Sequence, residues 1–191
     1  MNNPRKRLLE AIVFFSREVK NPTKMMMYKL LAELDFRHFE EKGYPVTDLE
    51  YTAWKMGPVP ADLDKELSHN KDVILPRDFV DSLSCEKYEF EKKDGTKAHG
   101  FRFRAKRKPD LSVFSLREQR ILREVADIYK TATATEASIA SHEKDKPWIK
   151  TPEGQLIDLV ETIKLKAAIT KEEAREIMRE RAGFHRTYHA H

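Results

Sequence analysis

The amino-acid sequence predicts an α+β fold that is mainly α: a helical domain with a central antiparallel β-hairpin, followed by a helical C-terminal extension. Three observations lead to this prediction. Apolar residues recur every three or four positions over most of the chain, which is the period of an amphipathic helix. Between about residues 84 and 106 the pattern changes to alternation, which is the period of a strand. Helical spacing then returns, and Ser or Thr precedes the apolar stretches as an N-cap.

Two helices are predicted before residue 44. The first starts at Pro4, and the second follows Asn21-Pro22-Thr23 and ends at Gly43, a residue type suited to a left-handed C-terminal conformation. Their apolar positions are Leu8, Ile12, Phe15, Val19, Met27, Leu30, Leu31 and Leu34. The run Met25–Met27 is consistent with helical core and also with an adaptable binding surface.

A third helix is predicted from Thr47, because Glu50 three residues later completes a capping box. Gly57 should end this helix, and Pro58 and Pro60 prevent its continuation. A short fourth helix is then predicted over residues 61–67.

The central hairpin is predicted from two alternating runs on either side of Asp94-Gly95. If the turn has two residues, Tyr88 pairs with Phe101 on the inner face. Glu89 then lies diagonal to Arg102 on the outer face.

Further helices are predicted after the hairpin. Ser115 and Glu118 form a capping box before a helix whose apolar positions are Ile121, Leu122, Val125, Ile128 and Tyr129. Other helix starts are predicted at Thr133 with Glu136, at Thr151-Pro152-Glu153, and at Thr170 with Glu173. Gly183 is expected to end the last of them.

Composition limits the class of protein. The 191 residues are 40% hydrophobic and 36% charged, with a formal net charge of +4, which is typical of a globular protein and only weakly favours polyanion binding. The single cysteine, Cys85, excludes an intramolecular disulfide and favours a reducing compartment. Since no apolar run approaches about 20 residues, we expect a cytoplasmic protein without a membrane span.

Enzyme motifs are missing from the sequence. There is no nucleophile elbow, phosphate loop, HExxH motif or paired-cysteine arrangement, and Asp35 and Asp62 are isolated carboxylates. The only bunched histidines, His185, His189 and His191, lie at the C-terminus, where a solvated tail is the expected state. We therefore expect no catalytic activity, no metal and no cofactor.

Two sets of side chains are candidates for partner binding. Trp54 and Trp148 each lie beside a chain break, where an aromatic ring serves as a core plug or as an interface anchor. Arg102, Arg104 and Lys106 give the outer face of the hairpin a basic character, although the acidic residues of the partner strand offset it. That face could bind phosphates or a protein, or could simply be solvated.

The order of motifs resembles the SocA-like Panacea antitoxin domain, a phage-associated family. The first block consists of Thr23-Lys24, Lys29-Leu30-Leu31, Asp35, Gly43-Tyr-Pro45-Val-Thr47, Tyr51 and Gly57-Pro58-Val59. The second runs from Ser115-Leu-Arg-Glu118 through Tyr129 and Ser141-His142-Glu143 to Pro147-Trp148. The resemblance implies a Panacea-like domain over residues 4–150, and residues 151–191 form an unmatched extension.

The resemblance also implies a function: an antitoxin that neutralises a cognate protein toxin by direct contact. It implies an alternative as well, an adaptor that delivers its partner to a protease. From the residues themselves, a DNA-binding regulator of its own promoter remains open, with the segment after Ser115 as a helix-turn-helix and the hairpin as a basic wing. A nanomolar contact needs more surface than the hairpin offers, so residues 151–191 are a candidate for toxin-specific contact. Deleting them should leave a folded domain that no longer rescues growth.

Overall fold

The computed structural model describes residues 3–69, 72–92, 94–130, 147–164 and 167–188 and confirms an α+β fold that is mainly α. The helices are α1 Pro4–Glu18, α2 Lys24–Lys42, α3 Ala61–Leu67, α4 Leu116–Tyr129 and α5 Lys171–Tyr188. The strands form three antiparallel pairs: β1 Tyr51–Trp54 with β2 Gly57–Pro60, β3 Ser68–His69 with β4 Asp72–Val73, and β5 Leu83–Glu91 with β6 Lys97–Ala105. Short 3-10 turns lie at Leu111–Val113, Pro147–Lys150 and Leu159–Thr162. Within the described ranges, no helix combines the length and the apolar character needed to cross a membrane.

The main core lies between α1, α2, α4 and the β5–β6 hairpin. Its largest fully buried side chains include Phe15, Leu30, Leu31 and Phe103. Helix α2 is buried along most of its length, which explains why its sequence is apolar on more than one face. The predicted first two helices, the short helix at Ala61–Leu67 and the capping box before α4 are confirmed.

The methionine run belongs largely to this core. Met26 and Met27 are 3% and 0% exposed, whereas Met25 is 38% exposed. The core interpretation of the run is therefore correct for two of its three residues.

The prediction of a third helix from Thr47 is wrong. Residues 51–60 form the β1–β2 hairpin instead, with Trp54 opposite Gly57 and Tyr51 opposite Pro60. The Thr47 hydroxyl donates to Asp35 Oδ2 at 2.5 Å, so it is not available to cap a helix. Gly57, at φ +123°, takes a backbone conformation that L side chains rarely adopt and serves the hairpin turn.

The central hairpin exists, but its predicted register is wrong by one residue. Tyr88 lies opposite Gly100, and Phe101 lies opposite Lys87, so Tyr88 and Phe101 are on different faces. Lys92 N–H donates to the Thr96 carbonyl at 2.8 Å, and Gly95 is left-handed at φ +79°. The turn is therefore one residue longer than the two-residue turn that Asp94-Gly95 predicts, and this extra residue shifts every pair.

Two predictions for the tail are also wrong. Residues 152–158 do not start a helix at Thr151; they run along β1, and Gly154 is left-handed at φ +83°. The final helix begins as predicted at the Thr170–Glu173 capping box but continues through Gly183 to Tyr188. The predicted helix from Thr133 to Ser141 lies outside the described residues.

Gly43 ends α2 and packs against α5. Replacing it with Ala should lower the stability of the protein. Its φ is +74°, and an added Cβ would lie 3.0 Å from Ile177 Cδ1, 3.1 Å from Ile169 Cδ1 and 3.2 Å from Ala174 Cα. Backbone strain and crowding together should lower the free energy of unfolding by about 2 kcal/mol, measured by urea denaturation. Gly154→Ala is the matched control, because it is also left-handed but has no atom within 4 Å of the added Cβ. Equal losses for the two variants would contradict the packing part of this explanation.

Candidate functional site

Asp35 connects α2 to the segment that leads into β1. It is fully buried and accepts hydrogen bonds from the Val46 N–H at 2.7 Å, the Thr47 N–H at 2.9 Å and the Tyr51 hydroxyl at 2.7 Å, in addition to the Thr47 hydroxyl. Burial raises the pKa of Asp35 to about 6, although the bonds from Thr47 and Tyr51 oppose that rise. These contacts fix the path of residues 46–51 over the middle of α2.

A second polar contact, which is partly buried, connects the start of α2 to α3. Asp64 Oδ1 accepts hydrogen bonds from Lys24 Nζ and from the Tyr28 hydroxyl, both at 2.8 Å. Further along α2, Lys29 is 6% exposed, and burial lowers its pKa to about 8. Leu30 and Leu31 beside it are fully buried.

The Gly57-Pro58-Val59 stretch forms β2 and packs on α2. Pro58 lies opposite Ala53, and Val59 is 3% exposed within the main core. The ordered sequence motif therefore belongs to one part of the structure, here called the family corner. It consists of α2 with Asp35, the end of α2 at Gly43, and the β1–β2 hairpin with Tyr51 and Gly57-Pro58-Val59.

A comparison with protein families identifies the family to which the chain belongs. The family model described as "Antitoxin SocA-like, Panacea domain" matches residues 27–149, which is more than half of the chain. The chain belongs to this family. Searches of curated proteins and of solved structures gave no match. The family match thus covers α2 from residue 27 onward, the β1–β2 and β5–β6 hairpins and α4, whereas α1 and α5 lie outside it.

Trp54, predicted as a core plug or an anchor, lies on the surface. It is 52% exposed at the end of β1, and Met56 beside it in the turn is 56% exposed. Trp148 lies in the 3-10 turn Pro147–Lys150. His142 lies outside the described residues.

The three candidate cations of the central hairpin each have an intramolecular partner. The Arg102 guanidinium lies over the Tyr88 ring at 4.0 Å, and Arg104 donates to Glu86 at 2.9 Å. Lys106 Nζ donates to the Val80 carbonyl at 2.6 Å. These intramolecular contacts thus engage part of the basic charge of this face. The β1–β2 and β5–β6 hairpins belong to separate sheets.

Sequence reasoning missed a buried ionic cluster that joins three helices. Arg7 of α1 forms an ion pair with Glu118 of α4, and both are 3–4% exposed. His38 of α2 places Nε2 3.7 Å from Glu118 Oε1 and donates from Nδ1 to the Tyr44 carbonyl at 2.8 Å. Burial lowers the pKa of His38, with the Glu118 carboxylate opposing that change, so the ring is neutral at pH 7.

An open groove of about 950 Å³, here called the tail groove, lies between the Panacea domain and the C-terminal residues. Its walls are residues 44–51 on one side and residues 156–160 with α5 on the other. Leu156 and Met178 line it and remain 57% and 40% exposed. Apolar side chains left this accessible in a concave surface are typical of a binding site for another molecule.

Strand pairing builds the floor of the tail groove. The Ala53 N–H donates to the Gln155 carbonyl at 2.9 Å, and the Ile157 N–H donates to the Tyr51 carbonyl at 2.8 Å, so residues 154–157 pair with the free edge of β1. Ile157 then packs with Phe36, Tyr51 and Ala53 in a buried cluster. The floor is therefore an integral part of the folded chain.

Helix α5 forms the outer wall of the tail groove and carries its positive charge. Arg181 lies over the Tyr44 ring at 4.2 Å and reaches Asp48 at 3.5 Å, which connects α5 to the opposite wall. Arg179 also lines the groove; it donates to the Arg175 carbonyl and has no carboxylate within ion-pair distance among the described residues. The groove thus offers apolar surface and an available guanidinium. No sequence signal predicted it, because it depends on the pairing of residues far apart in the chain.

Proposed function

We propose that the protein is an antitoxin that silences a cognate protein toxin by direct contact and catalyses no reaction itself. The observation that carries this proposal is the family match over residues 27–149. The predicted partner-binding residues of the β5–β6 hairpin give the proposal little support, because Arg102, Arg104 and Lys106 already have partners within the chain. Exposed apolar side chains in the tail groove support it more.

We infer that the toxin places an apolar segment with a carboxylate in the tail groove. The apolar side chains would cover Leu156 and Met178, and the carboxylate would pair with Arg179. One wall lies in the family domain and the other lies outside the family match. In this arrangement the family domain provides the scaffold, and helix α5, which lies outside the family match, selects the particular toxin. Trp54 and Met56 would extend the contact toward the 20–30 residues per partner that a stable interface needs.

Substitution of an exposed groove residue tests this proposal better than deletion of the tail. The deletion of residues 151–191 would also remove Val160, Ile163 and Ala174, which pack around the buried Phe39. Loss of rescue by the truncated chain would then have two explanations.

Met178→Asp should therefore abolish most neutralisation without unfolding the protein. A carboxylate in place of an interface anchor should weaken toxin binding by at least about tenfold, since burial of an unpaired charge is costly. The full chain is co-expressed with the product of the neighbouring open reading frame, and growth and co-purification are measured. Ile128→Asp on α4 is the matched control, because Ile128 is 50% exposed and does not line the groove.

Full rescue by Met178→Asp, or an equal loss of rescue in Ile128→Asp, would overturn the placement of the toxin in the tail groove. A neighbouring product that is neither toxic nor bound would count against the antitoxin function itself. Two further experiments address the alternatives. A salt-dependent gel shift on the chain's own promoter would favour the DNA-binding regulator, and protease-dependent loss of the bound toxin would favour the adaptor.

A further inference from the structure

One edge of the central hairpin has no neighbouring strand among the described residues. The β6 edge is covered, because the Phe103 N–H donates to the Pro22 carbonyl at 3.0 Å and Arg102 bridges to Thr23. The β5 edge has no such partner beyond Leu83, whose N–H donates to the Phe79 carbonyl. Strand β5 is nine residues long, and most of its side chains beyond Glu86 are exposed. It is therefore a long edge strand at the surface.

The register identifies which backbone groups of β5 point outward. The Phe103 N–H points away from β5, so Phe103 and its opposite residue Cys85 form a non-hydrogen-bonded pair. Backbone groups alternate along a strand, so Lys87 and Glu89 also direct their N–H and carbonyl groups to the open edge. The bond of Lys92 agrees with this alternation. Lys92 is at an even-numbered position, and its N–H points inward and donates to the Thr96 carbonyl. The edge thus presents a regular series of donors and acceptors.

We propose that β5 pairs with β5 of a second copy of this chain, antiparallel and with the two-fold axis at Tyr88. The two hairpins would then form one continuous four-stranded sheet. In this register Lys87 of each copy lies directly opposite Glu89 of the other copy, which gives two opposite-charge pairs across the interface. The two Tyr88 residues lie opposite each other on the face that also carries Arg102. The Tyr88 ring lies over Gly100 of β6 and against the Arg102 guanidinium, so the interface depends on the backbone bonds and the charge pairs.

Charge disfavours the two neighbouring symmetric registers. Moving the axis to residue 87 places Lys87 opposite its own copy, and moving it to residue 89 places Glu89 opposite its own copy. Like charges directly opposite each other are destabilising. The register centred on residue 89 also places Lys87 opposite Glu91, but of the three registers the Tyr88-centred one alone has complementary pairs without a like-charge pair at its axis. The present contacts of Glu89 do not oppose this pairing, because Lys97 at 3.6 Å and His99 at 4.0 Å are exposed partners that hold it only weakly.

The test measures the mass of the purified full chain by sedimentation equilibrium over a range of concentrations. The wild type should show a reversible monomer–dimer equilibrium. Lys87→Glu should weaken dimerisation by at least about tenfold, since two attractive pairs become repulsive. The charge-swapped variant Lys87→Glu/Glu89→Lys should restore the wild-type equilibrium, which a variant with a damaged hairpin could not do.

A proline at position 89 tests the backbone part of the proposal. Glu89→Pro removes an outward N–H and spares the β5–β6 ladder, so it should give a folded monomer. Glu89→Gln, which keeps that N–H, should still dimerise. Circular dichroism and thermal unfolding confirm that each variant folds. A wild-type chain that stays monomeric, or a dimer that Glu89→Pro leaves unchanged, overturns the proposal.

Discussion

Replacing Arg7 with Met should lower the free energy of unfolding by about 3–5 kcal/mol. Arg7 is 3% exposed and provides the cation that faces the buried Glu118 carboxylate. Removing one partner of a buried ion pair leaves the other charge without compensation, which is among the costliest single changes in a protein core. The His38 ring at 3.7 Å and the Ser115 N–H at 2.7 Å would remain near Glu118. Arg7 contributes to lowering the pKa of His38, so its removal favours a proton on that ring, which offsets part of the loss. Urea denaturation of the full chain measures the loss.

Two controls separate buried charge from loss of side-chain packing. Arg104→Met removes an exposed ion pair with Glu86 and should cost less than about 1 kcal/mol. The double variant Arg7→Met/Glu118→Gln should recover at least half of the Arg7→Met loss, because Gln keeps the α4 capping box but carries no charge. If the double variant is no more stable than Arg7→Met, buried charge is not the cause.

Local signals predicted the helical part of the fold. The Ser115–Glu118 capping box forms at the start of α4, and Gly43 ends α2 in a left-handed conformation. The short α3 follows directly after the two prolines, as the sequence indicates. Each of these features depends on residues within one or two turns, so the sequence contains the whole explanation.

Predictions failed where a distant partner decided the local structure. Thr47 is a good N-cap candidate, but its hydroxyl and N–H bond to Asp35, twelve residues earlier. Residues 153–157 contain Gly154 and follow a proline, yet what makes them extended is pairing with β1, a hundred residues away. The hairpin register depended on a single residue in the turn, which the Asp94-Gly95 pair alone does not determine.

The candidate site was predictable only in part for the same reason. The family corner followed from the order of its motifs, and the exposed Trp54 had been singled out by its position beside a chain break. The Arg7–Glu118 pair joins residues 111 positions apart, and no periodicity reveals such a pair. The tail groove likewise exists only after residues 156–160 and α5 have packed beside residues 44–51.

Replacing Asp35 with Ala should cost about 4 kcal/mol or more, because it removes the acceptor of four buried hydrogen bonds. Two backbone N–H groups, those of Val46 and Thr47, would lose their partner, as would the hydroxyls of Thr47 and Tyr51. Each buried donor left unsatisfied costs about 1–3 kcal/mol, and the hydroxyls can turn to reduce their share. Asp35→Asn is the matched control: its carbonyl oxygen can still accept from the two N–H groups, so it should cost clearly less. Urea denaturation at pH 7 measures both, and equal losses would contradict this explanation.

The stability that depends on Asp35 should increase as the pH falls. Its pKa in the folded protein is about 6, above the ordinary value of 3.8, so the folded state binds a proton that the unfolded chain releases between these values. The contribution is fully present below pH 3.8 and is lost as the pH rises through 6. From pH 7 to pH 4.5, the free energy of unfolding of the wild type should therefore rise by about 2 kcal/mol relative to Asp35→Asn, which cannot titrate. A constant difference between the two proteins would place the pKa of Asp35 near its ordinary value.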